Sequence, residues 1–211
     1  TGICLRAGAG KVRDVWLANL RELLPPGRPV VRMPASTGDE RLLGGLDLTA
    51  TLRSGRPVAQ SGLLADVDGG VLVIAMAERI ESAAAARIGA AMDHQRVPIE
   101  RDGVHGVIET RFGVVALDEG VDSEEAPPPA LIDRLAFQLD LDAVSYREAL
   151  GFPDEYSDVA QARALLPQVT LPEIALEALV ATALSLGIAS LRAPLLALRV
   201  ARASAALRGA M

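Results

Sequence analysis

A glycine-rich segment near the start of the chain carries residue types that bind phosphate. Gly8, Gly10 and Lys11 follow a short apolar run at residues 3–7 and precede a helical pattern. Between a strand and a helix, glycines let backbone N–H groups turn toward phosphate oxygens, and a lysine reaches the β- and γ-phosphates. Lys11 is also the only lysine among the 21 basic residues. The spacing favours a remnant of a phosphate-binding loop (P-loop), and a simple tight turn is the alternative.

The segment lacks groups that a complete loop uses. The glycine expected five positions before Gly10 is Leu5, and the Ser or Thr expected after the lysine is Val12. A valine side chain cannot ligate Mg²⁺, which the hydroxyl at this position normally holds. We therefore expect that nucleotide binds weakly and that magnesium is held poorly.

The acidic partners of such a loop are also missing. In ATP-hydrolysing proteins of this type, one carboxylate at the end of a buried strand orients Mg²⁺ and a second polarises the attacking water. Here the apolar run at residues 71–77 places Ala75 and Met76 at those positions. Glu78 lies nearby in a different register, and we expect it to cap the next helix or to face solvent.

Strand patterns alternate with helical patterns as far as residue 141. Strands are predicted at residues 3–7, 29–33, 71–74 within the apolar run 71–77, 112–117 and at the end of 131–141, helices at residues 11–24 and 81–92, and a hairpin with an Asp102-Gly103 turn at residues 99–104. Uninterrupted apolar strands indicate burial on both faces, as in a parallel sheet covered by helices. We predict that Ser82 is the N-cap of the helix at residues 81–92.

The remainder of the chain is helical in pattern. From residue 158 onward we predict helices, with Pro172 in the first turn of one that ends at residue 186 and Pro194 in the first turn of one that ends at residue 207. Alternating strands and helices followed by helices alone predict an α/β domain with a small helical lid. We place the two domains at residues 1–152 and 153–211.

Composition narrows the class of protein. The 27 acidic and 21 basic residues give a net charge of −6, which argues against nucleic-acid binding. The longest uncharged apolar run in the second half, residues 178–191, is shorter than the roughly 20 residues that span a bilayer. A single cysteine, Cys4, and two distant histidines, His94 and His105, form no recognisable zinc motif. Because no secretory signal pattern is present, we expect a cytoplasmic location.

Five segments and a helix, taken in their order along the chain, match a known family: residues 41–48, 62–72, 99–103, 131–136 and 190–193, followed by a helix with Arg199, Arg202 and Arg208. They resemble the AAA+ region of the D subunit of magnesium chelatase, the complex that inserts Mg²⁺ into protoporphyrin IX on the route to chlorophyll and bacteriochlorophyll. The resemblance covers nearly the whole chain. It implies an AAA+ P-loop module in which helices sandwich a parallel sheet, with a C-terminal all-helical lid and β-hairpin insertions at residues 41–64 and 99–107.

The resemblance also distinguishes between two related subunits. The motor subunit, called I, has a complete phosphate loop and an Asp-Glu pair where this chain has Ala75 and Met76, so the eroded positions favour the D subunit. The resemblance then implies a hydrolysis-deficient subunit of a ligase that forms nitrogen–metal bonds. It would form a homo-oligomeric ring, serve as a platform for the I subunit, bind ATP weakly and leave chelation of the substrate Mg²⁺ to the porphyrin-binding H subunit. A self-sufficient P-loop ATPase and a nucleotide-free scaffold are the alternatives.

Two arginines match functional positions of this family. Arg134 matches the arginine finger, which enters the ATP site of a neighbouring subunit and stabilises charge on the transferring phosphoryl group. A surface ion pair with Asp133 or Glu125 is the alternative role. Arg192 matches the sensor arginine of the lid, which contacts the γ-phosphate. Together with Gly8, Gly10 and Lys11, it would complete a degenerate nucleotide site.

Other polar residues have less specific interpretations. The family's sensor asparagine falls near Asp118 or Glu119, where an acid would repel a γ-phosphate. We expect His94 and His105 to be solvated loop residues, the acidic run at residues 118–125 to be a solvated loop, and no resident metal site. Because the first residue is Thr1, we expect the native start to lie upstream. The resemblance further implies, in the full subunit, a proline-rich acidic linker and an integrin-I-like domain.

Overall fold

The computed structural model describes residues 1–101, 104–122, 124–151 and 159–210. In chain order the elements are β1 (Gly2–Arg6), α1 (Lys11–Leu23), β2 (Val30–Met33), α2 (Asp39–Leu43), β3 (Gly44–Leu46), α3 (Leu48–Ser54), β4 (Ala59–Ser61), α4 (Leu63–Asp66), β5 (Val71–Ile74), α5 (Ser82–His94), β6 (Arg96–Arg101), β7 (Val104–Glu109), β8 (Gly113–Asp118), α6 (Pro129–Ile132), β9 (Phe137–Asp140), α7 (Tyr146–Leu150), α8 (Val159–Leu165), α9 (Glu173–Ser185) and α10 (Arg192–Leu207).

Packing divides the chain into two compact units. The first unit comprises Thr1–Gly10 and Pro26–Asp142, and the second comprises Lys11–Pro25 and Ala143–Met211. Helix α1 is therefore grouped with the C-terminal helices, although the sequence prediction placed all of residues 1–152 in one domain. The predicted border, between residues 152 and 153, lies outside the described part of the chain.

A five-stranded parallel sheet organises the first unit, in the order β2-β5-β8-β1-β9. All four residues of β5 are buried, which explains its uninterrupted apolar sequence. The buried core continues into the helices, with Leu42 of α2, Leu64 of α4, Ile88 of α5 and Leu131 of α6. The predicted AAA+ α/β architecture is confirmed.

The insertion predicted between β2 and β5 contains a small antiparallel hairpin. Strands β3 and β4 pair from Gly44 opposite Ser61 to Leu46 opposite Ala59, and α3 connects them. At the base of the hairpin the two chain segments approach closely, since a Cβ atom on Gly62 would lie 2.2 Å from the Gly44 nitrogen. Gly44 also has a φ of +91°, which favours glycine.

A second antiparallel hairpin follows α5. Strands β6 and β7 pair from Arg96 opposite Glu109 to Arg101 opposite Val104. This confirms the two predicted hairpin strands. The predicted turn residues, Asp102 and Gly103, lie outside the described residues.

One local prediction, the N-cap of α5, is wrong. Ser82 is the first helical residue of α5, and Glu81 occupies the N-cap position without a side-chain cap, because the extended backbone continues through Glu81. The strand predicted at residues 71–74 is confirmed as β5, which ends at Ile74. Met76 adopts the left-handed conformation, with φ 48° and ψ 57°, and this turns the backbone out of the sheet.

The second unit is helical. Its small core contains Ala162, Val169 and Ala206, and Arg202 of α10 donates to the carbonyl oxygens of Val169 and Leu166 at 3.0 and 3.2 Å. Among the described residues, no single helix has the length and apolar character to cross a membrane. The bent pair Val159–Gln168 and Glu173–Ser185 meets those criteria by length and composition, with a bend of 100°.

Replacing Gly62 by Ala should destabilise the base of the β3–β4 hairpin. Because the added methyl group would meet backbone atoms of Leu43 and Gly44, we expect Gly62→Ala to lower the free energy of unfolding by about 2 kcal/mol or more. Urea denaturation measures this change. Gly45→Ala is the matched control, because a Cβ atom there meets nothing within 4 Å. Equal stability of the two variants would contradict the close approach.

The thiol of Cys4 should be protected in the native protein. Its burial, followed by the nearby Asp118 carboxylate, raises the pKa of Cys4 to about 11, against a smaller opposing effect of Arg6. At pH 8 the lower thiolate fraction alone should slow alkylation by iodoacetamide about a hundredfold relative to the urea-unfolded chain. Mass spectrometry measures both rates. Equal rates in the native and unfolded states would contradict this burial.

Candidate functional site

The glycine-rich segment leaves its backbone open. Gly8 and Gly10 follow β1 and are exposed, and a Cβ atom added to either would meet nothing within 4 Å. Neither glycine is among the residues with positive φ. The packing of the chain itself therefore does not require glycine at these positions, and the open backbone fits close approach of a ligand.

Lys11 begins α1 in the second unit and is exposed. Its Nζ lies 5.4 Å from the centroid of the Tyr146 ring, in a cation–π arrangement. At an exposed site such a contact contributes about 0.5–1 kcal/mol, which an anion can readily displace. Lys11 thus has the chemistry of a phosphate ligand, and its partner in the described structure is an aromatic ring.

The positions that would complete a magnesium site hold apolar side chains. Val12 follows Lys11 in α1, Ala75 is buried directly after β5, and Met76 turns away from the sheet. Among the described residues, no group of three or more His, Cys, Asp or Glu side chains could hold a metal ion. The residues therefore fit the phosphates of ATP in part, through backbone N–H groups and Lys11, and do not fit its magnesium ion.

An ion pair occupies the carboxyl ends of β1 and β8. Arg6 Nη1 lies 3.4 Å from Asp118 Oδ2, and Arg6 Nη2 donates to the Gly120 carbonyl oxygen at 3.0 Å. Asp118 Oδ1 accepts from the Gly120 N–H at 3.0 Å. Asp118 is buried and lies near the family's sensor position. Because a buried charge requires partners, Arg6 and the Gly120 N–H compensate the negative charge of its carboxylate.

Glu78 connects the ends of β5 and β8. Its side chain is only 2% exposed, and Oε2 accepts from the Glu119 N–H at 3.0 Å. Within the described chain, Oε1 accepts no hydrogen bond, although it lies 3.4 Å from Arg79 Nε. The prediction that Glu78 caps the next helix or faces solvent is wrong, because a neighbouring strand end satisfies this carboxylate instead.

Arg134 follows α6 and precedes β9, and its carboxylate partner is Asp93 on α5. Nε and Nη2 both donate to Asp93 Oδ2, at 3.1 and 2.6 Å, and Nη1 donates to the Ala130 carbonyl oxygen. The alternative role of Arg134, an ion pair within the chain, is observed with Asp93 instead of Asp133 or Glu125, because the C-terminal end of α5 brings Asp93 to the guanidinium.

The backbone register separates Arg134 from the glycine-rich loop of the same chain. Ala136, two residues after Arg134, donates its N–H to the Gly2 carbonyl oxygen at 2.8 Å. Gly8 lies six residues further along the chain from Gly2, beyond the carboxyl end of β1. At about 3.3 Å per residue, Gly8 and Arg134 are on the order of 20 Å apart along the strand direction, at opposite edges of the sheet.

Arg192 and the two histidines lie in three different elements of the structure. Arg192 is the first residue of α10 in the second unit, and its backbone N–H donates to Ser190 Oγ at 3.2 Å. His94 is exposed at the last position of α5 rather than in a loop. His105 pairs with Glu100 in the β6–β7 hairpin, so it too lies outside a loop.

Sequence reasoning missed Arg6, Asp93 and Tyr146. Arg6 and Asp93 pair with residues 112 and 41 positions away in the chain. One feature of the sequence could have indicated a side chain lying across α5. In this alanine-rich helix, Gly89 and Asp93 are one helical turn apart and therefore lie on the same face.

Comparison with known proteins agrees with this architecture. A family profile described as the AAA lid domain matches residues 176–211. The chain is 43% identical over 208 residues to the magnesium-chelatase 60 kDa subunit of Cereibacter sphaeroides, covering 99% of this chain and 34% of that protein. It is 30% identical over 224 residues to the 67 kDa subunit of Chlorobaculum parvum, covering 98% of this chain and 36% of that protein.

A more distant similarity involves a smaller subunit. The magnesium-chelatase 38 kDa subunit of Rhodobacter capsulatus is 28% identical over 205 residues, covering 86% of this chain and 58% of that protein. The chain spans about a third of the length of the 60 and 67 kDa relatives. Its sequence and fold make it an AAA+ region of the magnesium-chelatase D-subunit family.

Proposed function

We propose that this chain is the AAA+ part of a hydrolysis-deficient magnesium-chelatase subunit. In this proposal it forms a ring that serves as a platform for the ATPase motor subunit I during ATP-dependent insertion of Mg²⁺ into protoporphyrin IX, in (bacterio)chlorophyll biosynthesis. The H subunit holds the porphyrin, and Mg²⁺ is the substrate of the complex. The similarity to named magnesium-chelatase subunits over 99% of the chain supports the assignment.

The observation that carries the hydrolysis-deficient role is the end of β5. The carboxylates that would orient Mg²⁺ and polarise water are replaced by Ala75 and Met76. Glu78, the nearest acid in sequence, is bonded to the Glu119 backbone and buried. Nucleotide binding is retained in weak form in this proposal, through Gly8, Gly10 and Lys11, with Arg192 as a further phosphate contact.

In this proposal Arg134 contributes to ATP hydrolysis at the nucleotide site of a neighbouring subunit. Because it lies at the edge of the sheet opposite Gly8, its side chain is too far away to serve the loop of its own chain. A role in phosphoryl transfer therefore requires the nucleotide site of a neighbouring subunit. There the guanidinium would stabilise negative charge on the transferring phosphoryl group. A cytoplasmic location fits the single, buried cysteine and completes the proposal.

Substitution of Arg134 should lower ATP turnover more than substitution of Lys11. In a mixture of the full-length protein with its motor subunit, we expect Arg134→Ala to reduce kcat for ATP hydrolysis by about tenfold or more, since arginine fingers contribute large factors. Lys11→Ala should change kcat by less than about threefold, because its own site lacks metal ligands. Arg111→Ala, at an exposed position of the same unit, is the control.

The turnover experiment also separates the alternatives. Equal losses from Arg134→Ala and Lys11→Ala would contradict the proposed ranking. Hydrolysis by the pure protein without the motor subunit, abolished by Lys11→Ala, would instead establish a self-sufficient P-loop ATPase.

Nucleotide should control assembly with the motor subunit. We expect light scattering on a sizing column to show a ring-sized species containing both proteins when ATP is present, and smaller species without it. Separate peaks under every condition would contradict the platform role. A joint assembly that is unchanged by ATP would favour a nucleotide-free scaffold.

A further inference from the structure

The guanidinium of Arg134 is held by three contacts within the first unit. Nε and Nη2 donate to the same oxygen of Asp93, and Nη1 donates to the Ala130 carbonyl. A lone exposed ion pair samples many geometries, whereas bonds from all three guanidinium nitrogens fix both the position and the plane of the group. The side chains of Arg134 and Asp93 are 19% and 31% exposed, so the pair is partly withdrawn from solvent.

Helix α5 provides room for the guanidinium at Gly89. A Cβ atom at this position would lie 2.9 Å from Arg134 Nε and 3.1 Å from its Cζ. Gly89 is buried in the interior of α5, where glycine is a poor helix former. Its φ is not among the positive values that would require glycine. The close approach of the Arg134 side chain therefore explains this glycine.

We infer that Asp93 and Gly89 form a brace that positions Arg134 for the nucleotide site of a neighbouring subunit. This inference rests on the proposed function. Asp93 fixes the guanidinium from one side, and Gly89 lets it lie against α5. Both are positioning residues, since they act on the phosphoryl group only through Arg134.

The brace leaves Arg134 able to bind phosphate. A guanidinium carries five N–H donors, and the contacts to Asp93 and Ala130 use three of them. One donor remains on each Nη, and two such N–H groups on a planar guanidinium suit the oxygens of a phosphoryl group. Asp93 offsets part of the positive charge of Arg134. The brace therefore favours catalysis by fixing the position of the guanidinium, because phosphoryl-transfer rates depend strongly on the placement of the catalytic groups.

Substitutions in the brace should lower turnover without preventing assembly. In the mixture of the full-length protein with its motor subunit, we expect Asp93→Asn and Gly89→Ala each to reduce kcat for ATP about three- to tenfold, with KM for ATP within about twofold of wild type. Glu81→Gln is the matched control for Asp93→Asn, because Glu81 is an exposed acid at the other end of the same helix. Light scattering confirms that each variant still assembles.

Thermal unfolding separates positioning from a structural role. Gly89→Ala replaces a poor helix former, so its melting temperature should equal or exceed that of the wild type while turnover falls. A fall in melting temperature that accounts for the lost turnover would overturn the inference for this residue.

A double-mutant cycle tests whether both residues act through Arg134. In the Arg134→Ala background, Asp93→Asn and Gly89→Ala should cause no further loss of turnover. Additional losses there, or wild-type turnover in both single variants while Arg134→Ala is impaired, would overturn the brace and leave the proposed function intact. Wild-type turnover of Arg134→Ala would instead overturn the proposed function.

Discussion

The parallel pairing of β1 with β8 and β9 is the constraint on which the placement of the candidate residues in the first unit depends. In a parallel sheet all carboxyl ends lie at one edge and all amino ends at the other. Gly8 and Ala75 follow strands and Asp118 is the last residue of β8, so all three share the carboxyl edge. Arg134 precedes β9 and lies at the amino edge. This separation makes Arg134 unsuited to the loop of its own chain and leaves its use to a neighbour.

The carboxyl edge is occupied by contacts within the chain itself. The Arg6–Asp118 pair joins the ends of β1 and β8, and Glu78 joins the end of β5 to the Glu119 backbone. A hydrolytic site needs acids that are free to hold a metal ion and a water molecule. Here Asp118 is paired with Arg6 and accepts a backbone N–H, and Glu78 accepts the backbone N–H of Glu119. Both acids therefore stabilise the fold at this edge, where the metal ligands are missing.

Local patterns were sufficient to predict most strands of the first unit and the last two helices of the second unit. Buried strands are recognisable from uninterrupted apolar runs, and both prolines predicted in helix first turns lie at the starts of α9 and α10, because these signals depend on residues close in sequence. The end of β5 at Ile74 was also predicted, although Ala75 and Ala77 continue the apolar run. The left-handed backbone of Met76 beyond that end could not be predicted from the sequence.

The candidate site was predicted less completely, since its contacts join distant parts of the chain. Arg134 could be singled out by family resemblance, but its acidic partner could not, because neighbours in sequence such as Asp133 are the natural first choice. The partner of Arg134 is determined by the packing of α5 against α6, which brings Asp93 to the guanidinium.

The two edges of the sheet can change independently. Loss of carboxylates after β5 removes metal binding at the carboxyl edge without altering α5, α6 or the start of β9, because those elements meet at the other edge. A subunit can therefore lose hydrolysis at its own site and still present an ordered arginine to a neighbour. Gly89 fits this separation, since a glycine within α5 is unfavourable for the helix and is explained by the arginine that lies across it. The physical argument for a role of Arg134 in the assembly thus does not require an active nucleotide site in this chain.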